Sequence, residues 1–309
     1  MKGSTQLFFN WLGALPGAAA QGMVWGIMAI GVYLTYKILD VADLTVDGSI
    51  CTGGAVCAVL VTSGVNVWIA MLAAMIAGML AGLVTGILHK YMGIPAILAG
   101  ILTQLILWSV NLKIMGKANI ALPVRNYKLL LAQIHASKSI VVLIAMIAVL
   151  IAALYWFFGT ELGTSLRATG NNQNMSRAQG INTDITTILG LVLSNGIVAL
   201  SGALLSQYQG FADINMGRGA IVIGLAAVII GEAVVSKIST NFAVRLIGVI
   251  LGGVIYYFVY QTVIFLGLDA DLLKMLSAIV VAVFLAVPYW KKKYFTKPAV
   301  KNKGGQGNA

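Results

Sequence analysis

Hydrophobic residues in this chain run in long blocks and do not alternate with polar residues. Clear blocks cover positions 68–88, 140–158 and 246–266. Each block is close to the ~20 residues that a helix needs to cross the hydrocarbon core of a bilayer. Strands of a transmembrane barrel would show short alternating segments instead. The pattern therefore predicts an all-α, polytopic membrane helical bundle with about 8 to 10 transmembrane helices.

The composition agrees with a membrane protein that has no soluble domain. Hydrophobic residues make up 60% of the chain and charged residues 9%, against roughly 25% charged in a soluble domain. We therefore treat 1–309 as a single transmembrane domain. The sequence has no phosphate-binding Walker A motif, so no cofactor is expected in this chain. Cys51 and Cys57 are expected to be buried small side chains, with neither a disulfide nor a metal site.

The net charge of +11 predicts the orientation in the membrane. Three consecutive lysines, Lys291 to Lys293, follow the last apolar block, so the basic tail 291–309 is expected to be disordered and cytoplasmic. The polar loop 160–184 contains Arg167 and Arg177, which predict the same side. Between these two segments we expect spans at 185–208, 217–233, 241–266 and 272–290. An even number of spans returns the chain to one side, so the two assignments agree.

The basic segment 113–138 does not follow this rule. It contains five basic residues, and no Asp or Glu occurs between positions 47 and 161 (Lys113, Lys117, Arg125, Lys128, Lys138). If the block 140–158 runs inward to the polar loop, these charges lie outside. Either a re-entrant piece near 129–134 alters the topology, or the external charge has a use. Contact with lipid phosphates is a third explanation.

Three aspartates lie at spacings of three and four in L-D-V-A-D-L-T-V-D-G-S, between apolar blocks. Asp40, Asp43 and Asp47 would share one face if helical, and Gly48 with the glycines at 53 and 54 suggests a broken or re-entrant helix. Broken helices in membranes line cavities or hold ligands. The predicted translocation pathway comprises Asp43, Asp47, Ser49, Asn195 and Ser201. An interfacial turn with solvated carboxylates, and interhelical hydrogen bonds for Asn195 and Ser201, remain the alternatives.

Glycines recur at a spacing of four residues, which predicts closely packed helices. One ridge contains Gly78, Gly82 and Gly86, and pairs follow the same spacing elsewhere (Gly13 and Gly17, Gly22 and Gly26, Gly248 and Gly252).

The polar loop 160–184 contains residues that are typical of helix starts and stops. Gly163, Gly170 and Gly180 bracket it. Asn171 or Asn172 is a suitable N-cap, and Gly180 a suitable helix stop. A short helix over 171–179 is therefore expected, lying across the cytoplasmic surface where a soluble partner can dock.

The same loop resembles the cytoplasmic coupling segment of ABC importer permeases of the ribose and branched-chain amino acid class. The resemblance covers roughly 40–290, and Asp43, Leu44, Thr45, Val46 and Gly48 resemble a turn near the front of that family. It departs from the family pattern at the inserted Asp47 and at Glu232, where a second glycine is common. It implies that the ATPase-coupling residues are Arg167, Ala168, Gly170, Asn172, Arg177, Ala178, Gly180 and Ile181.

The resemblance also implies a function and a set of partners. The chain would be the pore-forming subunit of an ATP-driven importer in the cell (plasma or inner) membrane, without enzymatic activity. It would form a homodimer with two ATPase subunits, which hold ATP and magnesium, and an external substrate-binding protein. Lys117, Arg125 and Lys128 would then be the surface for the binding protein. The substrate class most similar is amino acids, including aromatic ones.

Two other classes of function compete with this interpretation. An ion-coupled secondary transporter would use the aspartate cluster as a cation site, but the second half has no copy of that motif. An intramembrane enzyme would need a catalytic or metal-binding cluster, and the chain has two histidines.

Overall fold

The computed structural model describes residues 2–124, 126–235 and 241–265, and the single positions 275, 278, 279, 282, 283, 286 and 290. The described part is a helical bundle with one two-stranded ribbon, which confirms the all-α polytopic prediction. Its helices are α1 (Lys2–Tyr33), α2 (Val46–Thr62), α3 (Val67–Lys90), α4 (Ala96–Met115), α5 (Ala136–Gly159), α6 (Glu161–Asn171), α7 (Gln173–Ala178), α8 (Thr183–Gln209), α9 (Ala220–Val235) and α10 (Phe242–Phe265). The predicted span 272–290 and the tail 291–309 lie outside the continuously described residues.

The bundle has two ends, which α8 connects. α8 begins next to α6 and α7 and ends at strand β2 (Phe211–Asp213), which pairs antiparallel with β1 (Asn119–Ala121). We call these the α6–α7 end and the ribbon end. Since α8 contains 27 residues, it separates them by about 40 Å at 1.5 Å per residue.

The described helices include six that are long and apolar enough to span a membrane, at 11–38, 67–90, 96–115, 133–159, 183–209 and 242–265. Two apolar helices, α2 and α9, are shorter. At 17 and 16 residues they are about 25 Å long, less than the ~30 Å of a hydrocarbon core. Both are short because irregular backbone precedes them within the bundle, at 39–45 and 214–219.

Most of the predicted glycine ridges lie at helix contacts. Gly82 on α3 lies against the backbone of Leu191, and Gly78 lies against Asn195. A Cβ at either position would overlap α8, so only glycine permits this distance between the helices. Gly22 and Gly26 on α1 meet α10 in the same way. The pair at 13 and 17 is an exception, because a side chain at position 13 would meet nothing.

Candidate functional site

The α6–α7 end begins with two short helices whose ends are capped by side chains. Thr160 caps α6 by accepting a hydrogen bond from the Gly163 N–H at 3.4 Å. Asn172 caps α7 by accepting from the Met175 N–H at 3.0 Å. Gly180 follows with φ +84°, a left-handed conformation that favours glycine. The predicted cap and stop are both present. The helix itself, Gln173–Ala178, is shorter than the predicted 171–179.

Helix α6 was not predicted from the sequence, because its mostly polar composition resembles that of a loop although one face is buried. Leu166 and Thr169 are buried on that face, and the Thr169 and Thr186 hydroxyls lie 2.9 Å apart. Gly170 contacts the backbone of Ile38, where a Cβ would overlap the carbonyl oxygen. A substitution at Gly170 therefore disturbs the packing of the bundle as well as any docking surface.

The two arginines predicted for coupling contact their own chain. The Arg167 guanidinium lies over the rings of Phe158 and Phe242, at 5.0 and 4.6 Å from their centroids. Arg177 donates from Nε to the Thr183 hydroxyl at 2.7 Å and forms an ion pair with Asp184 at 3.3 Å. Both side chains therefore help to hold α6 and α7 against the bundle.

The outward side of this end carries exposed apolar side chains. Met175 is 59% exposed and Leu162 is 58% exposed, on short helices whose other residues are mostly polar. Ala168 is half-buried and Ala178 is exposed, whereas Ile181 is half-buried at the turn into α8. Exposed apolar groups among polar ones are typical of a protein-docking surface.

Asp43 lies deep in the bundle, in the irregular segment 39–45. It is 2% exposed. One carboxylate oxygen accepts from the Thr45 N–H at 2.9 Å and the other from Asn195 Nδ2 at 2.7 Å. Asn195 Oδ1 in turn accepts from the Ser49 hydroxyl at 2.6 Å. Three of the predicted pathway residues thus form one hydrogen-bonded network within the chain. Their pathway role stays a prediction.

The three aspartates do not share a helix face, because the chain is not helical at Asp40 and Asp43. Asp40 is exposed with φ +55°, and α2 begins only at Val46, so the break precedes Asp47. Nor is the chain broken at Gly48 or at the two glycines beyond it, which lie within α2. Gly53 instead lies against Ala199 of α8. The break occurs where Asp43 supplies acceptors for backbone and side-chain groups that the helix leaves open.

Asp47 connects α2 to the second irregular segment. Its two carboxylate oxygens accept from the Gly219 N–H at 3.0 Å and the Ile221 N–H at 2.9 Å. These are the first free donors of α9, so a carboxylate from α2 caps a helix that follows it by more than 170 positions. Cys51 Sγ accepts from the Gly217 N–H at 3.1 Å. Both cysteines are free and buried, as expected.

The polar side chains of α8 mostly bond to neighbouring elements. The Ser201 hydroxyl donates to the Val24 carbonyl at 2.7 Å, and Gln207 Oε1 accepts from the Leu130 N–H at 3.2 Å. The Ser201 contact matches the alternative of interhelical hydrogen bonds. The segment around Leu130 contains a single 3-10 turn, Gln133–His135, so the structure shows no re-entrant helix in the described residues of 129–134.

The basic segment 113–138 lies at the ribbon end, opposite α6 and α7. Strand β1 within this segment pairs with β2, which follows α8 directly. The predicted separation of the basic segment from the polar loop is therefore correct. Lys117 and Lys128 are exposed, whereas Arg125 lies outside the described residues.

Cavities open between these elements in the described part of the chain. A cavity of about 620 Å³ at the α6–α7 end is bordered by Lys37, Arg167 and Arg245. At the ribbon end, Lys128 and Trp68 border a groove of about 470 Å³. A third cavity, about 130 Å³, lies between α2 and α4 and includes Asp47. Four predicted site residues line these cavities: Arg167 and Gly170 at the α6–α7 end, Lys128 at the ribbon end and Asp47 between α2 and α4.

The chain is similar to known transport permeases. The family described as "Branched-chain amino acid transport system / permease component" matches residues 15–287. The tyrosine transport system permease protein of Clostridioides difficile (strain R20291) is 42% identical over 266 residues, 86% of this chain and 88% of that protein. Uncharacterized protein RP368 of Rickettsia prowazekii (strain Madrid E) is 34% identical over 271 residues, 87% and 95% of the two chains. The autoinducer 2 import system permease protein LsrC of Salmonella paratyphi B (strain ATCC BAA-1250 / SPB7) is 28% identical over 242 residues, 76% and 65%. No solved structure matches the chain.

The described residues form a multi-pass helical bundle with a capped helical projection at one end. The family match covers most of the chain, so this protein belongs to the permease family of the branched-chain amino acid transport system. It is the membrane subunit of an ABC importer, as its resemblance to that class predicted. Membership of this family excludes the alternative of an ion-coupled secondary transporter.

Proposed function

We propose that this permease imports an amino acid, and that aromatic amino acids, tyrosine first, are its substrates. The observation that carries this proposal is the 42% identity to a permease named for tyrosine transport, which extends over most of both chains. The relative named for autoinducer 2 import is less similar, at 28% identity, and this chain covers 65% of its length.

In this proposal the α6–α7 end is cytoplasmic and receives an ATPase subunit. The exposed side chains of Met175 and Ala178 would contact the ATPase, while the capped ends of α6 and α7 keep the helices in place. Arg167, Arg177 and Gly170 would act through packing, since their contacts lie within this chain. ATP and magnesium would belong to the ATPase. Two copies of this chain would form the pore with two ATPase subunits, and the C-terminal tail would be cytoplasmic.

The ribbon end would face outward and receive an external substrate-binding protein. Lys117, Arg125 and Lys128 would attract acidic residues on its rim. The buried network of Asp43, Ser49 and Asn195, with Asp47 and Ser201, would border the pathway between the two ends when the bundle changes conformation.

The test is reconstitution of the permease with candidate ATPase and binding-protein partners in liposomes. We expect the ATPase to co-purify with the permease, and L-tyrosine to stimulate both ATP hydrolysis and its own uptake. Uptake of L-leucine and ribose provides the comparison. ATP-dependent uptake of ribose without uptake of any amino acid would contradict the proposed substrate class.

A further inference from the structure

Asn111 on α4 is a buried amide without a partner. The residue is 1% exposed, and neither Nδ2 nor Oδ1 has a hydrogen-bond partner in the described part of the chain. A buried polar group that lacks a hydrogen bond costs free energy, and an amide leaves both a donor and an acceptor open. Asn111 borders the cavity of about 130 Å³ between α2 and α4. The cavity therefore offers the space from which a partner can approach the amide.

Polar side chains from three elements border this cavity, although α4 is an apolar helix. Gln104, Trp108 and Asn111 all border it, and their spacing of four and three residues places them on one face of the helix. Asp47 and Cys51 of α2 and Arg218 of the turn 214–219 complete the polar part of the lining. Three elements therefore direct polar groups toward the same small volume.

The position of the cavity suits a transport pathway. It adjoins the turn 214–219 and the beginning of α2, where the backbone is irregular within the bundle. Irregular backbone at membrane depth is tolerated where it is buried in protein or lines a water-filled cavity. The cavity is partly open beside Trp108, which is 45% exposed, and Leu105, which is 63% exposed.

The lining groups indicate the chemistry of a ligand. Arg218 and the two amides can donate hydrogen bonds to a carboxylate. The amide oxygens and the face of Trp108 can receive an ammonium group. Both oxygens of Asp47 already accept backbone hydrogen bonds, so its charge contributes mainly a negative field. A ligand with one carboxylate and one ammonium group satisfies this set.

The volume of the cavity limits which part of an amino acid it can hold. About 130 Å³ corresponds to a few water molecules at ~30 Å³ each, which is enough for an amino-acid head group but small for a whole aromatic amino acid. The side chain of the ligand would then extend past Trp108 through the open side. Stacking on the indole would favour an aromatic ring.

We propose that this cavity binds the zwitterionic head group of the amino acid during passage, with Asn111 and Gln104 as its polar contacts. The proposal rests on amino-acid import as the proposed function. It adds a substrate subsite at α2, α4 and the turn 214–219.

The first test is Asn111→Leu in the complete transporter in liposomes, with Ser109→Leu on the exposed side of α4 as the matched control. Leucine replaces the unpaired amide by an apolar group of similar size, so the purified permease should unfold at the same temperature or a higher one. L-tyrosine uptake should nevertheless fall at least tenfold, whereas Ser109→Leu should retain uptake. A residue with only a packing role would not separate stability from transport in this way.

The second test measures access to the cavity. In a permease with Cys51→Ser, which keeps an acceptor for the Gly217 N–H, and Cys57→Ala, Ile214→Cys should react with a small charged thiol reagent during ATP turnover, because Ile214 lines the cavity without being one of the proposed polar contacts. Ile106→Cys, on the exposed side of α4, should not react. An excess of L-tyrosine should slow the reaction at position 214 at least fivefold. Labelling without protection would show a cavity that holds water only, which overturns the proposal.

The outcomes also separate this proposal from the proposed function. If wild-type permease imports L-tyrosine and Asn111→Leu imports it equally well, or if Asn111→Leu lowers the unfolding temperature, the subsite is wrong and amino-acid import stands. If the wild-type complex imports no amino acid at all, both proposals are wrong.

Discussion

The two ends of the bundle carry their positive charge in different ways. At the α6–α7 end, Lys37 pairs with Glu232 at 3.0 Å, and Lys90 and Arg177 both approach Asp184, at 3.5 and 3.3 Å. At the ribbon end, four lysines form no ion pair with a described acidic residue (Lys113, Lys117, Lys128, Lys138). One end is thus neutralised locally, whereas the other presents an open positive field.

This difference suits two different kinds of contact. A surface with caps, ion pairs and closely packed glycines keeps one shape, as a contact that transmits a conformational change requires. An open field of like charge mainly accelerates and orients the encounter with an acidic partner. The departure from the family pattern at position 232 belongs to the first end, because Glu232 gives Lys37 its partner.

The largest expected effect comes from breaking the contact at the α6–α7 end. Ala178→Glu places a charge on an exposed position of α7, so the permease itself should fold normally. A charge enclosed without a partner in an interface costs several kcal/mol, so ATPase co-purification and transport should both be lost. Ser137→Glu, exposed at the ribbon end, is the matched control for ATPase co-purification. Recovery of the ATPase at the wild-type level with Ala178→Glu would show that the ATPase does not dock at this position of α7.

The next effect concerns the network that lies between the two ends. Asp43→Asn replaces an acceptor oxygen by an amide NH₂, which leaves either the Thr45 N–H or the Asn195 NH₂ without an acceptor. We expect a loss of about 1–3 kcal/mol in the free energy of unfolding, seen as a lower unfolding temperature in detergent. Relative to wild type, the transport rate per inserted molecule should decrease by a larger factor than the amount of expressed permease.

Asp40→Asn is the control for that network, because Asp40 is exposed and asparagine tolerates its positive φ. It should change neither unfolding temperature nor uptake. Equal uptake per molecule in Asp43→Asn and wild type would limit Asp43 to a structural role.

A smaller effect is expected at the ribbon end. Replacing Lys117, Arg125 and Lys128 by Gln should raise the binding-protein concentration for half-maximal transport several-fold at low salt. The difference should shrink near physiological ionic strength, where the Debye length is ~8 Å. Lys37→Gln, at the other end, should leave that concentration unchanged. If the triple variant keeps the wild-type value and its salt dependence, the basic segment is not the docking surface.

The smallest effect is expected from removing a single ion pair at the α6–α7 end. Arg177→Gln removes the ion pair with Asp184, but the two side chains are 54% and 44% exposed. Exposed pairs contribute ~0–1 kcal/mol, so the unfolding temperature should fall by no more than a few degrees and ATPase binding should persist. Loss of ATPase binding with an unchanged unfolding temperature would instead assign Arg177 a direct contact with the ATPase.

Patterns with a local cause were predictable from the sequence. The apolar blocks gave spans close to α3, α5, α8 and α10, because helix length in a membrane follows the bilayer thickness. The cap at Asn172 and the stop at Gly180 were also correct, since capping depends on neighbouring residues. Helix α6 was missed because its inward face consists of a leucine, a threonine and two glycines, which hydropathy does not distinguish from a polar loop.

Two features could be predicted from the charges and the glycines of the sequence alone. The charges predicted that the polar loop and the basic segment lie at opposite ends, and the glycine spacing predicted which helices pack closely. Both predictions depend on the type and spacing of side chains, which the sequence shows directly. Tertiary structure decided what the aspartates and Asn111 do. Asp47 caps a helix far along the chain, Asp43 bonds across to α8, and Asn111 borders a cavity that three elements form together. Hydrogen-bond partners and enclosed volume depend on distances between segments, and these distances exist only once the helices have packed.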